Sequence, residues 1–397
     1  MTPFPFISRL PWHSASSRRK AIAARRAKGT IKIAVLVSSL EHGGTERVVT
    51  SLCNAWSARG DEVTLVPTYS GGGKPFFEVS DAVELIYLAE VVGVRARSAL
   101  SYARRISALR RLIATRSPDV IVSFLPNVNL AAILSSAFLG IPLIICERSD
   151  PTSYPHENVI GTLCKWTYRF ADMLTVQTDS VAAKVQGLYP GQKNVRAVPN
   201  PLPASVIAHQ RTANSQRKVL LSLGRLSSEK QIDKLLDAFA EVAPLFGDWD
   251  LHIYGDGPVK PALAKQIHRI GLHGRAFLKG ATKSPWEVMA AADIFVMTSK
   301  YEGFPNALLE AMGVGLPCIA FDCPSGPREI SRNGTDALLV PLDSQSGLVS
   351  ALTRLMEDEN LRCALGKQAR ESVCSRFGLA EVVQRWDHLF REVGATN

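Results

Sequence analysis

Four charged residues in the second half of the chain have the types and spacing to do chemistry: Arg225 and Lys230 in GRLSSEK, and Glu302 and Glu310 in YEGFPNALLE. Arg225 and Lys230 follow a short apolar run that reads as a strand. A guanidinium and an ammonium at the carboxyl end of a parallel strand are suited to neutralising a diphosphate, although either can also be an ordinary surface charge. In the second segment the chain turns through Gly303 and Pro305 and enters a helix. The first amides of that helix, near Asn306, Ala307 and Leu308, can face a phosphate or hydroxyl groups. Glu302 lies in the loop and Glu310 two turns further on, so the two carboxylates reach different parts of one ligand. Two carboxylates at this spacing also fit the acid pair of a glycoside hydrolase. Their place beside a phosphate-type helix start, together with Arg225 and Lys230, argues against that.

A third feature lies near the start, where Gly43 and Gly44 of GGTER stand between a buried strand and a helix. Two glycines let backbone come close to an anion at a helix amino end. The same pattern also fits a plain strand-to-helix turn, and it is not the GxGxxG fingerprint of dinucleotide binding.

The elements that must position these residues alternate. Ile31 to Ser38 is an almost continuous apolar run, as in a strand buried on both faces of a parallel sheet. Strands are expected at Glu62 to Pro67, Val83 to Leu88, Val120 to Phe124 and Pro142 to Cys146, with helices between them, one a basic helix around Ala99 to Thr115. RAVPNPLP interrupts the pattern around Val195 to Pro203 and marks an interdomain hinge. A second series restarts at Val219 and runs through strands at Asp250, Ala276, Ile294 and Pro317, with closing helices to Val393. The fold class is therefore α/β, with two Rossmann-like domains in tandem. The expected division is a basic, disordered tail at 1–30, an N-terminal domain at 31–200, a C-terminal domain at 201–378, and a last helix at 379–397 that returns to the first domain.

Composition narrows the partners. The 397 residues are 46% hydrophobic and 21% charged, which is globular, and the formal charge of +10 implies an anionic partner. The tail holds Arg9, Arg18, Arg19, Lys20, Arg25, Arg26 and Lys28 without an acid. Arg95, Arg97, Arg104, Arg105, Arg110, Arg111 and Arg116 form a second acid-free stretch, within which Ser98 to Arg116 reads as a basic amphipathic helix suited to an anionic membrane surface, with Arg104, Arg105, Arg110 and Arg111 on its solvent face. The seven cysteines are scattered without a CxxC pair. No disulfide, no metal site and a reducing compartment are expected. No apolar run is long enough to span a bilayer, so the chain is expected to be soluble or peripheral.

Taken together, GGTER at 43, GRLSSEK at 224, YGDGP at 254, EGFPNALLE at 302 and CPSGPREI at 323 resemble the family-four retaining glycosyltransferases of GT-B fold, in the right order and over nearly the whole chain after residue 30. The resemblance implies two face-to-face Rossmann-like domains with an interdomain cleft, and a hexosyltransferase activity. It gives Arg225 and Lys230 the donor diphosphate, Glu310 the ribose, and Glu302 with Phe304, Pro305, Asn306 and Ala307 the transferred sugar and phosphates. Gly43 and Gly44 would approach from the opposite domain, while Gly255 and Lys283 would lie near the base. Arg225, Lys230 and Glu302 are the expected catalytic set. Many members carry a histidine after the fourth strand of the first domain, where this chain reads SFLPNVN, and Asn127 or Arg148 is the expected substitute in the acceptor region. ERSDP, GGTERVV and CPSGPREI resemble a subgroup acting on polyprenyl-diphosphate-linked oligosaccharides.

The expected function is thus retaining transfer of a hexose or N-acetylhexosamine from a UDP-sugar, or GDP-mannose as runner-up, to a lipid-linked saccharide in cell-surface polysaccharide or glycan assembly. No cofactor, metal or nucleic acid is expected, and the expected place is cytoplasmic, peripheral on the inner face of the plasma membrane. A sugar-nucleotide epimerase of the same architecture is the main alternative, and a basic nucleic-acid-binding protein a remoter one. A dinucleotide-dependent oxidoreductase is disfavoured by the missing GxGxxG.

Overall fold

The computed structural model describes residues 29–41, 43–93, 99–149, 151, 159–212 and 217–396. The basic tail expected at 1–30 therefore lies outside the described residues except for Gly29 and Thr30, as do Arg95 and Arg97.

Two parallel sheets organise the chain. The first contains β1 (Lys32–Val37), β2 (Glu62–Pro67), β3 (Glu84–Leu85), β4 (Val120–Phe124), β5 (Leu143–Cys146), β6 (Met173–Val176) and β7 (Val195–Ala197), in the order β3-β2-β1-β4-β5-β6-β7. The second contains β8 (Lys218–Leu223), β9 (Trp249–Tyr254), β10 (Ala276–Gly280), β11 (Ile294–Met297), β12 (Cys318–Phe321) and β13 (Leu338–Val340), in the order β10-β9-β8-β11-β12-β13. Central strands such as β4 and β11 are buried along their whole length, which explains their sequences VIVSF and IFVM, apolar except for Ser123. In each sheet the strand order reverses beside the first strand of the series, at β1/β4 and at β8/β11. Crevices open at such switch points, beyond the carboxyl ends of the strands. The loops after β1, β8 and β11, which carry Gly43 and Gly44, Arg225, and Glu302, are therefore gathered at the two crevices.

The sequence reading needs amendment in three places. The run Val83 to Leu88 is not one strand: only Glu84 and Leu85 pair, with Thr64 and Leu65 on the sheet edge, and Leu88 opens a short helix to Val92. Between Glu147 and Val195, where no element was expected, the described residues form α-helix Val159–Thr167, β6, α-helix Asp179–Val185 and β7. Val195 to Ala197 is not hinge but edge strand, paired with Leu174 to Val176.

The basic helix spans Ala99–Arg116 and packs through Leu109 and Ile113. The four arginines read as its solvent face do not all reach solvent. Arg105 turns back to the carbonyl of Thr68 at 2.7 Å and lies over the Tyr69 ring. Arg110 donates to the carbonyls of Ser135 and Ala137 at 3.1 and 2.7 Å. Only Arg104 and Arg111 of the four are exposed, because carbonyls just after β2 and at the end of the neighbouring helix draw the other two guanidinium arms inward.

The last helix, Leu379–Glu392, joins the core of the first domain. Trp386 meets Trp56 edge to face at 5.8 Å, and Phe390 lies 5.6 Å from the same ring. The two chain crossings touch, the amide of Leu202 donating to Phe377 O at 2.6 Å. Among the described residues no helix is long and apolar enough to cross a membrane.

Candidate functional site

A cleft of about 780 Å³ separates the domains. Its C-terminal wall is lined by Arg225, Lys230, Gly255, Glu302, Phe304, Pro305, Asn306, Ala307 and Glu310, and its N-terminal wall by Gly43, Gly44, Arg47 and Phe77. The structure thus brings together every expected donor-site residue except Lys283, which is exposed beyond the lining residue Thr282. Asn127 and Arg148 are not part of the lining.

Arg225 is held by two loops zipped together. Gly224 N donates to Tyr254 O at 3.0 Å, and Leu226 N to Asp256 O at 2.9 Å. Gly255 is required for this approach: its φ is +142°, and a Cβ there would stand 1.8 Å from Gly224 O. Lys230 closes a single 3-10 turn, Ser228–Lys230, and its carbonyl accepts a 2.9 Å bond from Thr298 Oγ1 at the end of β11. Its Nζ lies 2.5 Å from Glu302 Oε1, which also accepts from Ser299 Oγ at 2.7 Å. Cation and carboxylate are therefore preset side by side on two adjacent strand ends.

The loop bearing Glu302 is braced from both sides. Ser325 Oγ donates to Gly303 O at 2.8 Å, and Gly326, at φ +96°, lets the turn of CPSGPREI press on Pro305, where a Cβ would come within 2.3 Å of Cδ. Gly303 faces the other domain, its missing side chain leaving room for the backbone of Arg148 and Ser149. Helix α11 (Asn306–Val314) starts here. Asn306 N donates to Phe304 O at 2.9 Å, but with no side-chain cap the next first-turn amide, at the lining residue Ala307, can face the cleft.

Glu310 is almost wholly buried, at 3% exposure, and is bonded from both domains. Trp286 Nε1 donates to its Oε2 at 3.0 Å, while Arg47 from the opposite wall pairs with both carboxylate oxygens, Nη1 to Oε2 at 3.3 Å. Burial pushes the Glu310 carboxyl above its ordinary range, and Arg47 and Trp286 act against that shift. Gly44 sits opposite the helix start, where a Cβ would be 2.9 Å from Asn306 Nδ2.

Beside the cleft a polar relay crosses the hinge. Arg148 Nη1 donates to Asn200 Oδ1 at 3.0 Å, and Asn200 Nδ2 to Asn306 Oδ1 at 2.8 Å. Burial lowers the pKa of Arg148, whose guanidinium stacks 4.7 Å over the Phe124 ring. Next to it, Glu147 is buried and pushed up to about 7 by desolvation, with the Tyr168 hydroxyl donating to it. Asn127 contributes its backbone carbonyl to Tyr69. Arg47, Asn200, Trp286, Thr298 and Ser325 were not predicted as site residues. Arg47 and Ser325 lie inside the motifs GGTER and CPSGPREI, and Asn200 in the hinge PNP, but their partners are far away in sequence.

Among the described residues no cluster of side chains could hold a metal ion. The arrangement can bind a doubly anionic group between Arg225, Lys230 and the α11 amides, and hydroxyl groups at Glu302 and Glu310.

Two family models match adjoining parts of the chain: Glycosyltransferase Family 4 over residues 42–205 and Glycosyl transferases group 1 over residues 206–372. An exopolysaccharide phosphotransferase of Streptomyces coelicolor is 28% identical over 89% of this chain, which spans 40% of that protein's length. The amylovoran biosynthesis glycosyltransferase AmsD of Erwinia amylovora is 26% identical, with 90% of this chain and 99% of the relative covered. A Campylobacter jejuni alpha-1,4-N-acetyl-D-galactosaminyltransferase, named for a diNAcBac-PP-undecaprenol-linked acceptor, is 25% identical over 91% of this chain and 99% of the relative. Among solved structures, Anabaena HepE in complex with UDP and glucose superposes with TM-score 0.74 at 19% identity, covering 91% of this chain and all of that one.

Proposed function

The chain is a group 1 glycosyltransferase of GT-B fold, and we propose that it moves a hexose or N-acetylhexosamine, with retention, from a UDP-sugar to a polyprenyl-diphosphate-linked saccharide in the assembly of a surface polysaccharide or glycan. The observation that carries this is the cleft itself, with two cations and an uncapped helix start on one wall and a glycine turn on the other. The relatives from Erwinia and Campylobacter support the pathway class and the acceptor, and the UDP in the Anabaena structure supports the donor. GDP-mannose is the runner-up for the donor.

In this reading Arg225, Lys230 and the α11 amides hold the diphosphate, and Glu310 takes the ribose hydroxyls. The acceptor oxygen forms a bond to the anomeric carbon on the face from which the diphosphate leaves. The sugar–diphosphate bond breaks, and the hydroxyl proton passes to a diphosphate oxygen. Protein groups form no bond to the sugar. Lys230 and Arg225 stabilise the charge growing on the leaving group, an effect of about 3 to 4 kcal/mol for a well-placed donor. Closure about the hinge excludes water, which would otherwise hydrolyse the donor.

A donor panel, followed by release of nucleoside diphosphate with and without a lipid-linked acceptor in detergent, tests the proposal. Acceptor-dependent UDP release and an α-linked product from an α-donor are expected. Epimerised donor formed without acceptor would overturn it.

A further inference from the structure

The first domain carries an apolar stripe that the fold leaves open. Along helix Val159–Thr167 and the turn that follows it, Val159, Leu163, Trp166 and Phe170 recur at steps of four, three and four residues, so they share one helix face. The opposite face, Gly161, Cys164 and Tyr168, is buried against the domain. All four stripe residues are exposed, Val159 at 76% and Phe170 at 64%, and Ile160 adds to them at the helix start. Isolated apolar residues on a surface need no explanation; a complete stripe of large ones on a single helix does.

Charge decides what covers it. No acid occurs from Val159 to Ala171, while Lys165 and Arg169 are exposed beside the stripe. Arg104 and Arg111 are exposed on the basic helix of the same domain. The chain's own N-terminal tail has apolar residues but also seven cations and no acid, so it meets this face with like charge. A second copy, with the same formal charge of +10, does so as well. Aromatic and aliphatic side chains flanked by cations match the interface of an anionic bilayer, where rings sit at headgroup level and ammonium and guanidinium groups meet lipid phosphates.

Placement agrees with use. The helix follows β5, and a helix that returns from the carboxyl to the amino edge of a parallel sheet begins on the cleft side. The stripe therefore starts on the carboxyl-edge side of the sheet, the side on which the cleft opens, in the domain expected to receive the acceptor.

We infer that the face formed by Val159, Leu163, Trp166 and Phe170, with Lys165 and Arg169, inserts shallowly into an anionic lipid surface and docks the first domain there. The inference extends the lipid-linked acceptor reading above, and the test separates the two. Full-length protein is sedimented with acceptor-free vesicles of phosphatidylcholine alone and of phosphatidylcholine with phosphatidylglycerol, at low and high salt. Wild type is expected to pellet with the mixed vesicles. Leu163→Ser/Trp166→Gln is expected to bind them at least tenfold more weakly at either salt concentration, and Lys165→Gln/Arg169→Gln more weakly at low salt only. Both variants should keep the wild-type melting temperature and the same rate of transfer in detergent, which shows that fold and acceptor chemistry are intact. Unchanged vesicle binding in Leu163→Ser/Trp166→Gln, no vesicle binding by wild type, or a dimer in gel filtration that this variant dissociates would each overturn the inference. Loss of transfer in detergent by wild type would instead count against the acceptor reading.

Discussion

Arg47 of the first domain and Glu310 of the second are paired across the cleft, on a carboxylate that is also held by Trp286. Glu310 is the residue proposed to take the ribose, so a nucleotide bound there must share or displace Arg47. A carboxylate buried this deeply needs a cation or strong donors to stay ionised. Arg47 supplies the cation and Trp286 the donor.

Glu310→Ala is expected to lower kcat/KM about a hundredfold, the loss of hydrogen bonds between hydroxyls and a charged group. The fold should survive, because the freed Arg47 can turn to solvent in the cleft. Steady-state kinetics with a circular dichroism melt check this. Near-normal activity in a folded variant removes Glu310 from the donor site.

Lys230→Ala is expected to cost more in kcat than in KM, by roughly 10²- to 10³-fold, because the ammonium acts mainly on charge that develops as the diphosphate leaves. Glu302 then loses its 2.5 Å partner but keeps Ser299. A rise in KM alone would show that Lys230 binds donor without acting on the transition state.

Transfer is expected to continue in EDTA. Arg225, Lys230 and the α11 amides already provide positive groups for the diphosphate, and Asp256 of YGDGP bonds its own loop and Lys260. Loss of activity in EDTA with recovery on adding magnesium or manganese would contradict this.

Much of this site is legible in the sequence because each motif is local. A strand, a glycine and a helix start within ten residues specify where Gly44, Lys230 and Asn306 go. What is not legible depends on distant partners. Arg47 and Glu310 are 263 positions apart, and no spacing rule links them. Gly303 reads as a turn residue, yet it is needed because Arg148 of the other domain comes so close. The short elements between Val159 and Ala197 were missed for a related reason. Four-residue β6 and three-residue β7 are too brief for periodicity to show and take their strand form from pairing.

Asn200→Ala is expected to lower kcat five- to thirtyfold with little change in melting temperature. The hinge amide bridges Arg148 and Asn306, so its loss frees the first side chain of α11 opposite Gly44 without touching the core. As a positioning residue it should be partly rescued by Asp, which can still accept from Arg148 but cannot donate to Asn306, so kcat should recover only in part. Equal defects in Ala and Asp would leave the relay without a role.

The last prediction concerns pH and stability at Glu147. Its carboxyl is buried, receives one hydrogen bond from Tyr168, and is raised from an ordinary value of 4.5 to about 7 by desolvation. A raised folded-state pKa means that the native state binds the proton more tightly than the unfolded chain does. The stabilisation from this proton is complete below the ordinary pKa and is lost as pH rises through about 7. The full effect is about 3 kcal/mol. Glutamine at this position has the shape of the protonated acid, can still accept from Tyr168, and does not titrate. Wild type and Glu147→Gln are therefore expected to melt at similar temperatures at pH 5, and the variant is expected to melt several degrees higher at pH 8. Thermal melts of both proteins across this range read the difference directly. A gap that is constant with pH, or one that closes as pH rises, would show that Glu147 is not held as the neutral acid in the native protein.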